Sequence, residues 1–310
     1  METKTKLQDL NVLEIGSNDG FLLSLIQARK NKVIGVDASD FMSDLASRSG
    51  IKTIAGIFGE SQELDNQIEE NSKTYEIIIA NNVLNHSNNP INFVKSVKKF
   101  LSRDGIFIFE VPYWLETVTS LHFDQIYHEH VTYFTVKAAK ELMRVSGLEI
   151  IDVEVVNYHG GSLRITASHE TNRESGFVGQ MISSELAEGL FTTERYEKYF
   201  IDIVKQKTDF MNKIFSFKEA KRNLFGIGAA AKANTLLTFY QLDVKFLDFI
   251  VDASEFKQGK ITPVTRIPIF PDSKVLDLSN PTGVVLAWNI GEEVKINLSK
   301  YNPEVEFISI

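Results

Sequence analysis

Short apolar runs alternate along this chain with segments whose apolar residues recur every three or four positions. That is the pattern of strands and helices in regular succession. Residues 11–15 form the first apolar run, and a turn rich in Gly, Ser, Asn and Asp follows it. Residues 21–30 then read as a helix with Phe21, Leu22, Leu25 and Ile26 on one face. Further strands are expected at 32–36, 52–54, 75–80 and 105–111, with helices at 41–49, ending at Gly50, and at 90–101. This order predicts an α/β fold with a doubly wound parallel sheet. Ligands of such a sheet lie beyond the carboxyl ends of its strands.

The pattern changes at 113–135, which is aromatic, rich in His and without clean alternation, as in a functional loop or lid. A helix at 136–145, strands at 148–156 and 162–168, and a helical stretch over 178–221 with a break near Gly189 are expected next. A second α/β pattern then begins at Leu224, with a Gly/Ala-rich helix start and strands at 246–252 and 283–288. No internal repeat is visible. The expected division is a ligand-binding domain over 1–150 and a C-terminal domain over 151–310, with a helical linker and a Rossmann-like region.

Composition narrows the class. The 310 residues suffice for two ordinary cores, and 43% apolar with 24% charged residues is a globular balance. A net charge of -8 argues against a nucleic-acid surface. No apolar run approaches membrane-spanning length, and the polar first ten residues do not read as a signal peptide, so a cytoplasmic protein without membrane contact is expected. The absence of cysteine excludes disulfides, iron–sulfur clusters and thiolate zinc sites.

The first turn, Glu14-Ile15-Gly16-Ser17-Asn18-Asp19-Gly20, lets a backbone approach a ligand closely but lacks the middle glycine of the dinucleotide fingerprint. Acidic residues at 14 and 19 would repel a pyrophosphate. They suit a cationic ligand, such as the sulfonium and amino group of S-adenosylmethionine, and Asp37 is placed to accept from ribose hydroxyls. The alternative is an ordinary capped strand–helix turn. Beyond the next strands stand Asn81-Asn82-Val83-Leu84-Asn85-His86 and the run Phe123 to Phe134, with His122, His128 and His130 close together. Metal binding, acid–base chemistry and aromatic packing are all open for this cluster. The spacing is not H-E-x-x-H and no metal is expected. Tyr127 and His130, three apart, are the favoured acid–base residues, while His122 and His128 read as packing or surface residues.

Four motifs in order resemble the S-adenosylmethionine-dependent sugar C-methyltransferases, which methylate a carbon of nucleotide-linked keto-deoxysugars. They are Glu14 to Leu23, Phe123 to Phe134, Asn157 to Arg164 and Gly226 to Asn234, the last continuing into Gln258 to Pro268. The resemblance implies a class I methyltransferase domain followed by a second Rossmann-like α/β domain, acting in deoxysugar biosynthesis. The methyl donor would lie against Glu14, Gly16, Ser17, Asn18, Asp19, Gly20, Asp37 and Asn82. His130 would be the base that makes an enolate, Tyr127 and His86 would donate to the developing oxyanion, and Glu129 would bind a sugar hydroxyl. Gly161, Ser162, Arg164, Lys232 and Asn234 would hold the substrate's diphosphate. Members of the family begin with a cysteine-rich zinc module, which this cysteine-free chain is expected to lack. An O- or N-methyltransferase acting on a sugar or another small metabolite, and a non-catalytic binding protein, are the competing readings.

Overall fold

The computed structural model describes residues 8–158, 160–169 and 175–309, which form two compact units: 8–116 with 129–192, and 117–128 with 193–309. In chain order the elements begin with β1 (Asn11–Ile15), α1 (Phe21–Gln27), β2 (Lys32–Asp37), α2 (Asp40–Arg48), β3 (Thr53–Ala55), α3 (Gln62–Asn71) and β4 (Tyr75–Asn81). They continue with α4 (Pro90–Phe100), β5 (Leu101–Pro112), α5 (Trp114–Thr119), α6 (Val136–Ser146), β6 (Glu149–Val156), β7 (Ser162–Ser168) and α7 (Gly176–Ala187).

The seven strands of the first unit lie in the order β3-β2-β1-β4-β5-β7-β6. All pairings are parallel except those of β7, which runs antiparallel to both β5 and β6. This is a doubly wound sheet, as expected. Strand order reverses between β1 and β4, so the crevice forms where those strands end. Parallel strands buried on both faces must be apolar almost throughout, and β1 has only its first residue less than fully buried. Helix starts are fixed locally. Ser39 caps α2, Asn89 caps α4 ahead of Pro90, and Thr135 caps α6. The buried Glu185 of α7 adds a second cap to α6, accepting from the backbone N–H of Val136 and of Lys137.

The second unit contains α8 (Thr193–Glu219), β8 (Asn223–Ile227), α9 (Ala233–Tyr240), β9 (Ile250–Val251), β10 (Ile269–Phe270), β11 (Pro281–Val285), α10 (Gly291–Ser299) and β12 (Glu306–Ser309). Its five strands are parallel, in the order β10-β9-β8-β11-β12. Here the order reverses between β8 and β11.

The sequence pattern predicts none of α3, β10, α10 and β12, and four further features differ from the expectations. The division expected at residue 150 falls inside β6, because β6 and β7 complete the first sheet by pairing outward from β5. The region 113–135 is more ordered than a loop, with α5 and a 3-10 turn at Phe123–Gln125 whose three residues are all buried. The run at 246–252 makes only two residues of ladder.

The fourth difference is a repeat. β1 and β8 stand where the strand order of their sheets reverses, each followed by a glycine turn, and the next strand of each leads into Val-Asp-Ala-Ser, at 36–39 and at 251–254. Gly16 N–H donates to Val36 O (2.7 Å) and Gly228 N–H donates to Val251 O (2.8 Å). Identity of four residues is too short to stand out in a sequence; the sheet register makes it visible.

Candidate active site

The crevice of the first unit opens where β1 and β4 end. One lobe, of about 740 Å³, is polar and includes Asn18, Asp37, Asn81, Asn82, Glu110 and Arg164. The other, of about 340 Å³, is more apolar, with Val36, Ala38, Ile57 and Phe58 beside Asp37 and His86. Gly16, Asp37, Asn82 and Val83 line both.

Gly16 is required there. Its φ is +72°, and a Cβ at this position would come within 2.2 Å of Val83 Cγ2. Asn18 also takes a left-handed conformation, which lets its N–H donate to Asp37 Oδ2 (2.8 Å). Ser39 N–H donates to Asp37 Oδ1 (2.9 Å), so two backbone donors orient the carboxylate. Asp19 accepts from Phe21 N–H (3.2 Å), and Gly20 N–H donates to Ser17 O (2.9 Å). Asn82, again left-handed, is tied to β5 by its N–H donating to Glu110 O (2.8 Å).

Glu14 and Ser17 are buried, and Glu14 Oε2 and Ser17 Oγ have no hydrogen-bond partner among the described residues. Burial, reinforced by Asp19 and Asp37, pushes the Glu14 carboxyl up to about 8. Three acidic groups thus crowd a turn that contains no cation. A ligand with a positively charged end and a ribose diol fits this set, because it would relieve the repulsion and use the open acceptors. S-adenosylmethionine is such a ligand.

The histidines come together through one peptide group. Asn85 O accepts from the N–H of both Val131 and Thr132 (2.9 and 3.1 Å), pinning the chain after His130 against the 3-10 turn Leu84–His86. The rings of His86 and His130 meet edge to face at 5.1 Å. Glu129, in the same unit, is exposed. Tyr127 belongs to the second unit, packing edge to face on His128 (6.1 Å). Among the described residues no group of three His, Asp or Glu could hold a metal ion.

Of the residues expected at a diphosphate, Gly161, Ser162 and Arg164 fall in the first unit and Lys232 and Asn234 in the second. His159, within the same motif, lies outside the described residues. Arg164 is not a spare cation. Its guanidinium pairs with Glu110 (2.6 Å) and Glu154 (2.9 Å), because β7 runs between β5 and β6 in a register that opposes all three residues. Ser162 Oγ–H donates to Tyr158 O (3.0 Å), and Gly161 accepts from Tyr113 N–H (3.1 Å). Arg164, expected at the substrate's diphosphate, lines the polar lobe with its guanidinium bound by two carboxylates.

In the second unit Lys232 is buried over Trp288, with Nζ 3.8 Å from the ring centroid and no hydrogen-bond partner among the described residues. Burial brings it down to about 8, opposed by nearby Asp124. Asn234 lines a separate crevice of about 340 Å³ with Ala229 to Ala231, Lys257 and Lys260. Sequence reasoning gave no role to Ile57, Phe58, Val83 or Asn85. The first three are apolar and carry no chemical signal. Asn85 is 1% exposed with both amide atoms unpartnered among the described residues, a state legible only in the fold.

Comparison with known proteins agrees with this geometry. Residues 3–153 match a methyltransferase domain and residues 157–309 match a C-methyltransferase C-terminal domain. The chain is 27% identical over 295 residues to the C-methyltransferase NovU of Streptomyces niveus, covering 94% of this chain and 69% of NovU. Magnesium protoporphyrin IX methyltransferase of Synechocystis PCC 6803 with bound SAH is 13% identical, with a TM-score of 0.43 over 53% of this chain and 76% of that one. An S-adenosylmethionine-dependent methyltransferase of Mesorhizobium loti is 14% identical, with a TM-score of 0.42 over 53% and 92%. Among the described residues no helix is long and apolar enough to cross a membrane.

Proposed function

Because the chain is an S-adenosylmethionine-dependent methyltransferase with a C-methyltransferase C-terminal domain, we propose that it methylates a carbon of a nucleotide-linked keto-deoxysugar. The observation that carries this reading is the contact of His130 with His86, which itself lines the donor crevice. It supports a base at the place where a methyl group would be delivered.

A carbon becomes nucleophilic only when the C–H beside the ketone is broken. His130 takes that proton on an imidazole nitrogen, and the electron pair moves into an enolate. His86 donates a hydrogen bond to the enolate oxygen, and Glu129 accepts from a sugar hydroxyl. When bound, S-adenosylmethionine supplies an electrophilic methyl group on a positively charged sulfur. Glu14, Asp19 and Asp37 hold its cationic end and ribose, while Gly16, Ser17, Asn18, Gly20 and Asn82 let it approach the backbone. The nucleotide diphosphate is taken by the second unit, at Lys232, Asn234 and the neighbouring Lys257 and Lys260.

The test is incubation with labelled donor and a panel of nucleotide-linked keto sugars, with NMR of the product. The expected product carries a new C–CH3 group. In D2O without donor, the proton beside the ketone should exchange, and His130→Ala should slow exchange and methylation together by about 10³-fold. A methyl group on oxygen or nitrogen, or undiminished transfer by His130→Ala, sinks the reading.

A further inference from the structure

Lys232 poses a problem that the donor chemistry does not solve. Its ammonium is buried and without a hydrogen-bond partner among the described residues; it lies over the face of Trp288, and the nearby Asp124 carboxylate acts on it without a hydrogen bond. A phosphate oxygen would be a far stronger partner than a π face. An anion that pairs with the ammonium competes with the indole face for it.

Trp288 has other attachments in the same unit. Its Nε1–H donates to Asp124 Oδ2 (2.6 Å), and its ring stacks on His122 (3.9 Å, 25°). Asp124 is 1% exposed, and Phe123 beside it packs on Phe239 (4.4 Å). The segment carrying these residues is held further by Arg195, which donates to Val118 O (3.5 Å). Tyr127 follows Asp124 by one helical turn of sequence. Burial holds Asp124 above the usual carboxylate range and brings His122 down to about 4, so His122 is neutral at physiological pH.

We propose that Trp288 is a latch: an anionic phosphate of the acceptor engages Lys232 by displacing the indole, and loss of the Trp288–Asp124 hydrogen bond re-places the 122–128 segment and with it Tyr127. Trp288 and Asp124 are then positioning residues through which the placement of Tyr127 within the second unit responds to nucleotide occupancy. This rests on the reading of the second unit as the diphosphate site.

The experiment uses inorganic pyrophosphate and nucleoside diphosphates as probes on the full chain. The only other tryptophan is Trp114, so Trp114→Phe makes indole fluorescence report on Trp288 alone. A 3-fluorotyrosine at position 127 reports on Tyr127 by fluorine NMR. Pyrophosphate should change both signals saturably and with one dissociation constant. Lys232→Met should weaken binding at least about tenfold. Trp288→Phe keeps an aromatic ring without the indole donor, and with the latch gone pyrophosphate should bind roughly threefold to tenfold more tightly. In Trp288→Phe and Asp124→Asn the Tyr127 resonance should already be displaced and should not move further on titration. Melting curves establish that each variant is folded. If Trp288 responds and Tyr127 does not, or if Trp288→Phe binds more weakly, the latch is overturned and the diphosphate reading stands. If no probe moves either signal, both are overturned.

Discussion

The crevices of the two units share one backbone plan and differ in charge. In each, a glycine follows the strand at which the order reverses and donates to the valine before an aspartate, and that aspartate accepts from the serine two residues on: Asp37 from Ser39, Asp252 from Ser254 (both 2.9 Å). A second backbone N–H completes the pattern, from Asn18 to Asp37 (2.8 Å) and from Ala229 to Asp252 (2.7 Å). Counted from that glycine, Glu14 corresponds to Gly226, Asp19 to Ala231 and Gly20 to Lys232. Around the first turn the side chains are acidic. Around the second they are small or cationic, and Lys257 neutralises Asp252 (3.2 Å). The fold supplies a crevice, and the residues on the turn choose the sign of what enters it.

Exchanging the glycines gives the largest effect. Gly16→Ala should lower S-adenosylmethionine affinity at least about 100-fold, because the new Cβ meets Val83 at 2.2 Å and φ is positive. Gly228→Ala places a Cβ 2.5 Å from that of Ala287, also at positive φ. It should remove nucleoside diphosphate binding by a similar factor and leave the donor's affinity within about twofold. Calorimetric titration of both variants with both ligands checks this. If either substitution harms both ligands equally, the crevices are not independent.

The next effect falls on the two aspartates. Asp37→Ala should weaken donor binding by about tenfold, the worth of one or two hydrogen bonds to a charged group. Asp252 is already engaged by Lys257, so Asp252→Ala should change donor binding by less than about twofold. Lys257→Met should weaken nucleoside diphosphate binding severalfold through loss of one local cation. A donor affinity unchanged in Asp37→Ala would remove its assignment to the ribose.

How much of this was legible beforehand follows from where each signal resides. The first sheet could be read from its strands because buried parallel strands must be apolar, as in Ile77-Ile78-Ile79-Ala80. The acidic turn was legible because charge and glycine are carried by the residues themselves. Helix α3 was missed because its sequence is nearly all polar, with only Leu64 and Ile68 buried. The ion pairs of Arg164 depend on cross-strand register, which no local pattern states. Asn85 acts through a backbone oxygen that every residue has. Lys232 was read as a cation at a turn, but its burial under Trp288 joins residues far apart in sequence.

A smaller, pH-dependent effect should separate the two crevices. Glu14 titrates at about 8 without ligand, so near pH 7 it mostly carries a proton. A cationic donor favours the ionised form, so binding releases that proton. The affinity of S-adenosylmethionine should therefore rise with pH, by as much as about tenfold per unit between 6 and 8, and level off above. Glu14→Gln should flatten the profile. Pyrophosphate should not bind more tightly over this range, since Lys232, at about 8, begins to lose its charge.

The smallest effect is on stability and tests whether the acidic turn is costly without its ligand. In the unfolded chain Glu14 ionises near its ordinary 4.5, whereas in the fold it holds its proton to about 8. Between these values the folded state binds more protons, so raising the pH from 4.5 to 8 favours unfolding, and the whole penalty is present above 8. Glu14→Gln cannot ionise and escapes it. At pH 8.5 without ligand, where the whole penalty is present, this variant should melt several degrees above the parent. At pH 4.5 the difference should shrink towards zero. Saturating S-adenosylmethionine should reverse the order at high pH, because only the parent offers the donor's cation the Glu14 carboxylate. Equal melting temperatures at both pH values would mean that the turn accommodates its buried charge without the ligand, and the crevices would then differ less than their residues suggest.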